Sequence, residues 1–233
     1  MLARFGHQHW WPGQTPLEIC VGAILTQNTN WTNVEKAISN LKAAGCLDVE
    51  AIHAKRPTEL AELIRPAGYF NIKAKRLKNF IRHVHERHGG DLEAMLVLPG
   101  LTGADNATRT SSSKPPPAPS RSVSALREEL LSINGIGRET ADSIVLYAAR
   151  RPTFVVDAYT CRILLRHFLI APEDDYEAIK ELMESNLPTE VPLWNDYHAQ
   201  LVAVGKTYCR PTARCAGCPL EGFAHDARAG QEP

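Results

Sequence analysis

Apolar side chains recur three and four residues apart through almost the whole chain, as in Val34, Ile38 and Leu41 or in Leu77, Phe80, Ile81 and Val84. That spacing lays a stripe along one face of a helix. No stretch alternates apolar and polar residues long enough to build a sheet. Phe154 to Val156, three residues between Pro152 and Asp157, reads as a loop. An all-α fold is therefore expected. With 233 residues, 44% hydrophobic and 22% charged, the chain can bury the core of one large domain or two small ones. Its longest apolar run, Ile19 to Leu25, falls far short of the roughly 20 residues of a membrane-spanning helix. No membrane partner is expected. The opening MLARFGHQHWWPG lacks the apolar centre of a secretory signal, and a cytoplasmic location is expected.

The 26 basic and 26 acidic residues cancel, so any nucleic-acid surface must be local. Arg65 to Gly90 carries seven Lys/Arg against Glu86 alone, and Ala171 to Asp196 carries eight acids against Lys180 alone. The alternative to a basic and an acidic surface is two ordinary solvated helix faces. His83, His85 and His88 lack the i, i+4 spacing of a helical metal pair and are read as part of such a face. The stretch 102–124, rich in Ser and Thr with three consecutive prolines, buries too little to offset the cost of ordering and reads as a disordered insertion. Leu98-Pro99-Gly100, just before it, mimics a turn but has no helical pattern after it.

The sharpest local pattern is LLSINGIGRETA, Leu130 to Ala141. A helix from about Ser124 to Ile133 meets a two-glycine turn, then a second helix from about Arg138 to Arg150, halted by Pro152. Glycine tolerates positive φ and leaves N–H groups uncovered at the second helix's start, where they suit a phosphate oxygen. The same pattern also serves as a plain tight turn. Asp157 precedes another helical run and is spaced as its N-cap. A carboxylate so held stays ionised.

GIGRETADSIVLYA followed by VVDAYT resembles the helix-hairpin-helix and Gly/Pro-Asp element of the endonuclease III superfamily of DNA glycosylases. ILTQNT at Ile24 to Thr29 and RPAGYFNIKAKRL at Arg65 to Leu77 extend the resemblance over all but the insertion and the extreme ends. It implies two helical domains with a DNA-binding cleft between them. One is a six-helix barrel over 16–151 with the hairpin at about 124–150. The other is an iron-sulfur domain built from 1–15 and 152–233. Damaged double-stranded DNA is the implied partner of a monomer, with the backbone at Gly135, Ile136, Gly137, Arg138 and Thr140 on phosphate. Gln27, Tyr69, Phe70 and Asn71 would probe the duplex, and Lys73, Lys75 and Arg76 would neutralise phosphates nearby.

Cys209-x5-Cys215-x2-Cys218 is a metal-type spacing. The resemblance implies a 4Fe-4S cluster there, in a loop over 209–226, but the fourth cysteine position holds Ala224, followed by His225 and Asp226. His225 is the first choice of substitute, Asp226 the second; a lost cluster or zinc remain open. Cys20, Cys46 and Cys161 read as core. Members that also nick DNA place a lysine two residues after the hairpin's last glycine, where this chain has Glu139. A carboxylate forms no Schiff base, so base excision alone is expected, with Asp157 and Glu139 at the reaction. Trp10, Trp11, Pro12, Trp31 and Glu139 match the base pocket of the bacterial 3-methyladenine glycosylase branch, which points to alkylated purines. Oxidised or mismatched pyrimidines are the alternative substrate, and a catalytically lapsed damage-binding protein the alternative class.

Overall fold

The structure is a computed structural model that describes residues 1–96 and 122–230. Leu98-Pro99-Gly100 and most of the expected insertion lie outside them. Its last residues, Ser122 to Ser124, are instead the cap and first turn of a helix: Ser122 accepts the Ala125 N–H. The described residues form twelve helices and no strand, as the periodicity requires. None of these helices is long and apolar enough to cross a membrane.

The first helix, α1 (Leu2–Phe5), belongs to one compact unit, Met1–Gln14 with Asp142–Pro233; Thr15–Ala141 forms a second. The second unit holds α2 (Pro16–Leu25), α3 (Trp31–Ala43), α4 (Val49–Ala54), α5 (Pro57–Leu63), α6 (Phe70–His88), α7 (Leu92–Leu96), α8 (Val123–Ser132) and the start of α9 (Arg138–Ser143). α2 begins at Pro16, pre-set for a first turn, with Thr15 accepting the Glu18 N–H. Every residue from Ile19 to Leu25 is buried, as a helix apolar on all sides must be, and α3, α6 and α7 pack around it. Cys20 and Cys46 are fully buried in this unit. α6 buries Leu77, Phe80, Ile81 and Val84 and ends where Gly89 turns left-handed at φ 60°, a turn that glycine makes without strain.

In the first unit α9 does not run on as an α-helix to Arg150. After Ser143 it widens into a π turn, Ile144–Ala148, closed by the Ala149 N–H on the Ile144 carbonyl at 2.9 Å. Beyond the buried loop Phe154 to Val156 lie α10 (Ala158–Arg166), α11 (Tyr176–Asn186) and α12 (Val191–Thr207). α10 and α12 pack so closely that a Cβ on Gly205 would stand 2.3 Å from Tyr159. The chain start is fastened to α12: Asp196 accepts the Gln8 N–H, Gln200 donates to the Gly6 carbonyl, and Arg4 donates to the Tyr208 hydroxyl.

Candidate active site and cluster loop

Asp157 is the N-cap of α10, its Oδ1 accepting the Thr160 N–H at 2.7 Å. Its Oδ2 lies 3.5 Å from His198 Nε2, and His198 Nδ1 is 2.5 Å from the Tyr147 hydroxyl. Burial, then the Asp157 charge, pushes the Tyr147 hydroxyl well above the ordinary phenol range. It therefore keeps its proton and donates to Nδ1, which leaves the ring's other proton on Nε2, toward Asp157. Burial also works to raise the Asp157 carboxyl. The approach of His198, then of Thr160, outweighs it and holds Asp157 below the ordinary carboxylate range. The result is an enclosed carboxylate that stays ionised. Sequence spacing assigns neither His198 nor Tyr147 to the site. His198 does carry a signal, since it shares α12's buried face with Trp194, Leu201 and Val202.

Two expected pocket residues join this network. Trp11 stands with its ring 5.2 Å from Tyr147, and Trp10 packs edge-on against Trp11 at 5.4 Å. Pro12 is exposed beside them in sequence, and Lys206 lies over the Trp10 ring at 5.5 Å. Trp31, half-buried at the first turn of α3, and exposed Glu139, in the first turn of α9, belong to the other unit.

In that unit Gly135 needs to be glycine twice over. Its φ is +101°, and a Cβ there would meet Arg76 Cγ at 2.3 Å. Gly137, by contrast, has no positive φ and faces open space. Gln27 straps the turn: its amide donates to the Gly135 carbonyl at 3.1 Å and to Thr140 Oγ1 at 2.9 Å, while Arg76 donates to its oxygen. Gln27 and Thr140 thus hold the hairpin. Ile136 is buried with its N–H on the Ile133 carbonyl, so Gly137 and Arg138 form the exposed part of the turn. Asn71, Lys75, Arg76 and Gly135 line one open groove with Ile72 and Asn134. Tyr69 is 70% exposed at a left-handed φ of 44°, and Phe70 lies under the Arg65 guanidinium at 4.7 Å.

Lys73 corrects the expectation of a phosphate contact. It is 1% exposed, and its ammonium donates to the carbonyls of Leu25 and Ala67 at 2.8 and 2.7 Å. Burial, then the Arg76 charge, brings its pKa down to about 8. A lysine so lowered suits nucleophilic work, but this one is out of reach. His83 and His88 correct the solvated-face reading, since both approach Glu129 Oε1, at 2.6 and 2.7 Å.

Cys209, Cys215, Cys218 and His225 line one recess, together with His167 and Arg166. Arg166 is 2% exposed and donates to the carbonyls of Arg210, Pro211 and Ala229 and to Cys209 Sγ at 3.4 Å. A buried guanidinium on a sulfur suits an anionic thiolate. The three sulfurs are not gathered within 4.8 Å of one another; among the described residues only His83, His88 and Glu129 form such a set. A single tetrahedral zinc, with Zn–S of about 2.3 Å, would need them closer than they stand. His225 Nδ1 bonds the Phe223 carbonyl at 2.8 Å, the arrangement that orients Nε2 as a ligand. Asp226 does not line the recess; its carboxylate accepts the Arg228 N–H.

Residues 21–189 match the family described as HhH-GPD superfamily base excision DNA repair protein. A candidate DNA repair glycosylase of Methanocaldococcus jannaschii is 45% identical over 223 residues, covering 96% of this chain and 91% of its own. Endonuclease III of Thermotoga maritima is 26% identical over 225 residues, covering 95% and 87%. Among solved structures, the H. pylori 3-methyladenine DNA glycosylase MagIII, bound to 1,N6-ethenoadenine, superposes with a TM-score of 0.66 at 28% identity over 84% of this chain and 87% of its own. A non-covalent endonuclease III–DNA complex gives 0.71 at 19% identity over 92% and 85%, a likeness of fold.

Proposed function

The chain belongs to the HhH-GPD superfamily of base excision DNA repair proteins, and from that premise we propose a monofunctional DNA glycosylase that removes alkylated purines such as 3-methyladenine. The reading rests on the enclosed, ionised Asp157 and, in the sequence, on a carboxylate, Glu139, at the hairpin position where a lyase needs an amine. As the N-glycosidic bond breaks, its electron pair leaves with the base and positive charge develops on the sugar. Asp157 stabilises that charge, water adds to the sugar carbon, and its proton passes to solvent. His198 and Tyr147 are positioning residues that keep Asp157 ionised and oriented.

A cationic base leaves readily and is favoured by electron-rich aromatic faces, which Trp10 and Trp11 supply. The likeness to MagIII supports the same substrate class. Lys75, Arg76, Asn71 and the Gly137–Arg138 turn meet the DNA backbone, and Tyr69 is the exposed side chain suited to fill the gap left by a flipped nucleotide. Cys209, Cys215, Cys218 and His225 would hold a 4Fe-4S cluster, which would supply a cross-link for the C-terminal loop, with the Arg166 guanidinium beside its Cys209 ligand.

A bifunctional reading rests on one observation, the exposed Lys206 amine beside Trp10. Duplexes each carrying one lesion (3-methyladenine, ethenoadenine, an oxidised pyrimidine, a uracil or a thymine mismatch), scored for free base before and after alkali, test both. The expected result is fastest release of the methylated purine, strands intact until alkali is added, and no borohydride-trapped complex. Faster release of a pyrimidine overturns the substrate assignment, and trapping that disappears in Lys206→Ala establishes the lyase.

A further inference from the structure

His83 and His88 lie five residues apart on the last turns of α6, about 140° apart around an ideal helix, so spacing alone gives no reason for them to meet. They meet because Glu129, on α8, reaches between them. His83 Nε2 is 2.6 Å and His88 Nε2 is 2.7 Å from the same oxygen, Glu129 Oε1. The three side chains are enclosed, with 19%, 17% and 15% of their surfaces exposed. Their ligand atoms all lie within 4.8 Å of one another.

We propose that His83, His88 and Glu129 form a binding site for a divalent transition metal of the zinc class, separate from the cysteine recess. Two imidazole nitrogens and one carboxylate oxygen are a donor set for zinc or its neighbours, whereas magnesium and calcium prefer all-oxygen surroundings. Each ring already aims Nε2 at the carboxylate, so metal replaces the Nε2 proton without a ring flip. Metal–ligand distances of about 2.0 to 2.2 Å put tetrahedral ligand atoms about 3.3 to 3.6 Å apart, so the nitrogens must move away from the Glu129 oxygen by somewhat under an ångström, within reach of side-chain rotations. The fourth position is left to water. A metal here ties α6, whose other end carries Asn71, Lys75 and Arg76, to α8, which leads directly into the Asn134–Gly137 turn. The site does not depend on the proposed substrate.

The test is isothermal titration of the full chain with Zn²⁺, alongside metal analysis after desalting. The expected result is one zinc per chain, retained in Cys218→Ser and weakened by about 100-fold or more in Glu129→Gln and His88→Gln, in line with the large losses seen on disturbing metal shells. Imidazole ¹H–¹⁵N spectra of the wild type provide a second readout that needs no variant: zinc should move the His83 and His88 resonances and leave those of stacked His53 and His85 in place. Absence of stoichiometric zinc binding, binding untouched by Glu129→Gln, or zinc lost with Cys218→Ser would each overturn the site.

Discussion

In the proposed function Asp157 does two jobs with one carboxylate, and the residue scale is where they can be separated. Asparagine caps helices as well as aspartate does, so Asp157→Asn should keep α10 and the fold while losing the charge. Base release should fall by about 100-fold or more with lesion binding retained; undiminished turnover would remove Asp157 from the chemistry. The pH dependence follows from the sign of its shift. A carboxyl held below its ordinary 3.8 contributes stability that is present above that value and is lost as pH falls through the lower folded value. His198→Gln takes away the main group opposing the effect of burial. The acid limb of the excision pH profile should then move to higher pH, whereas a purely structural His198 would lower activity without moving the limb.

Among the elements, α12 and α6 carry the clearest consequences. Gly205→Ala drives a methyl into Tyr159, with contacts of 2.3 to 2.8 Å that include its Cβ, so the ring cannot simply swing away. An overpacked α10–α12 contact should cost about 1 to 3 kcal/mol, read by chemical denaturation. In the other unit, exposed Lys75 lines the groove beside the hairpin. Lys75→Glu should weaken binding to every duplex alike and lower the salt slope by about one or two, as expected for a phosphate contact without base readout. An unchanged slope would return this part of α6 to the status of a solvated face.

At the scale of the whole molecule, each compact unit has its own fastening. In the unit that joins both chain ends, Arg166 gathers three backbone carbonyls and one cysteine sulfur with a single buried guanidinium. Arg166→Met leaves those carbonyls without their donor, at about 1 to 3 kcal/mol for each one that stays buried. It should lower the unfolding temperature and release iron, measured by calorimetry together with iron and sulfide analysis. Iron content equal to that of the wild type would separate Arg166 from the cluster.

The sequence by itself determined what is local. The helical period, the Asp157 cap and the Gly135 turn are each written within a few residues, and the hairpin motif carried the family resemblance that the comparisons bear out. The burial of Lys73 was legible too, since it stands four residues before Leu77 on the apolar stripe of α6, but its charge was read ahead of its position. Only the tertiary structure decided what faces each stripe. Tyr147 and His198 meet Asp157, Arg166 closes on Cys209, and Glu129 reaches two histidines across gaps of 41 and 46 residues. Periodicity specifies which side of a helix turns inward. The partner it finds there depends on how separate helices pack, and no spacing along a single helix records that.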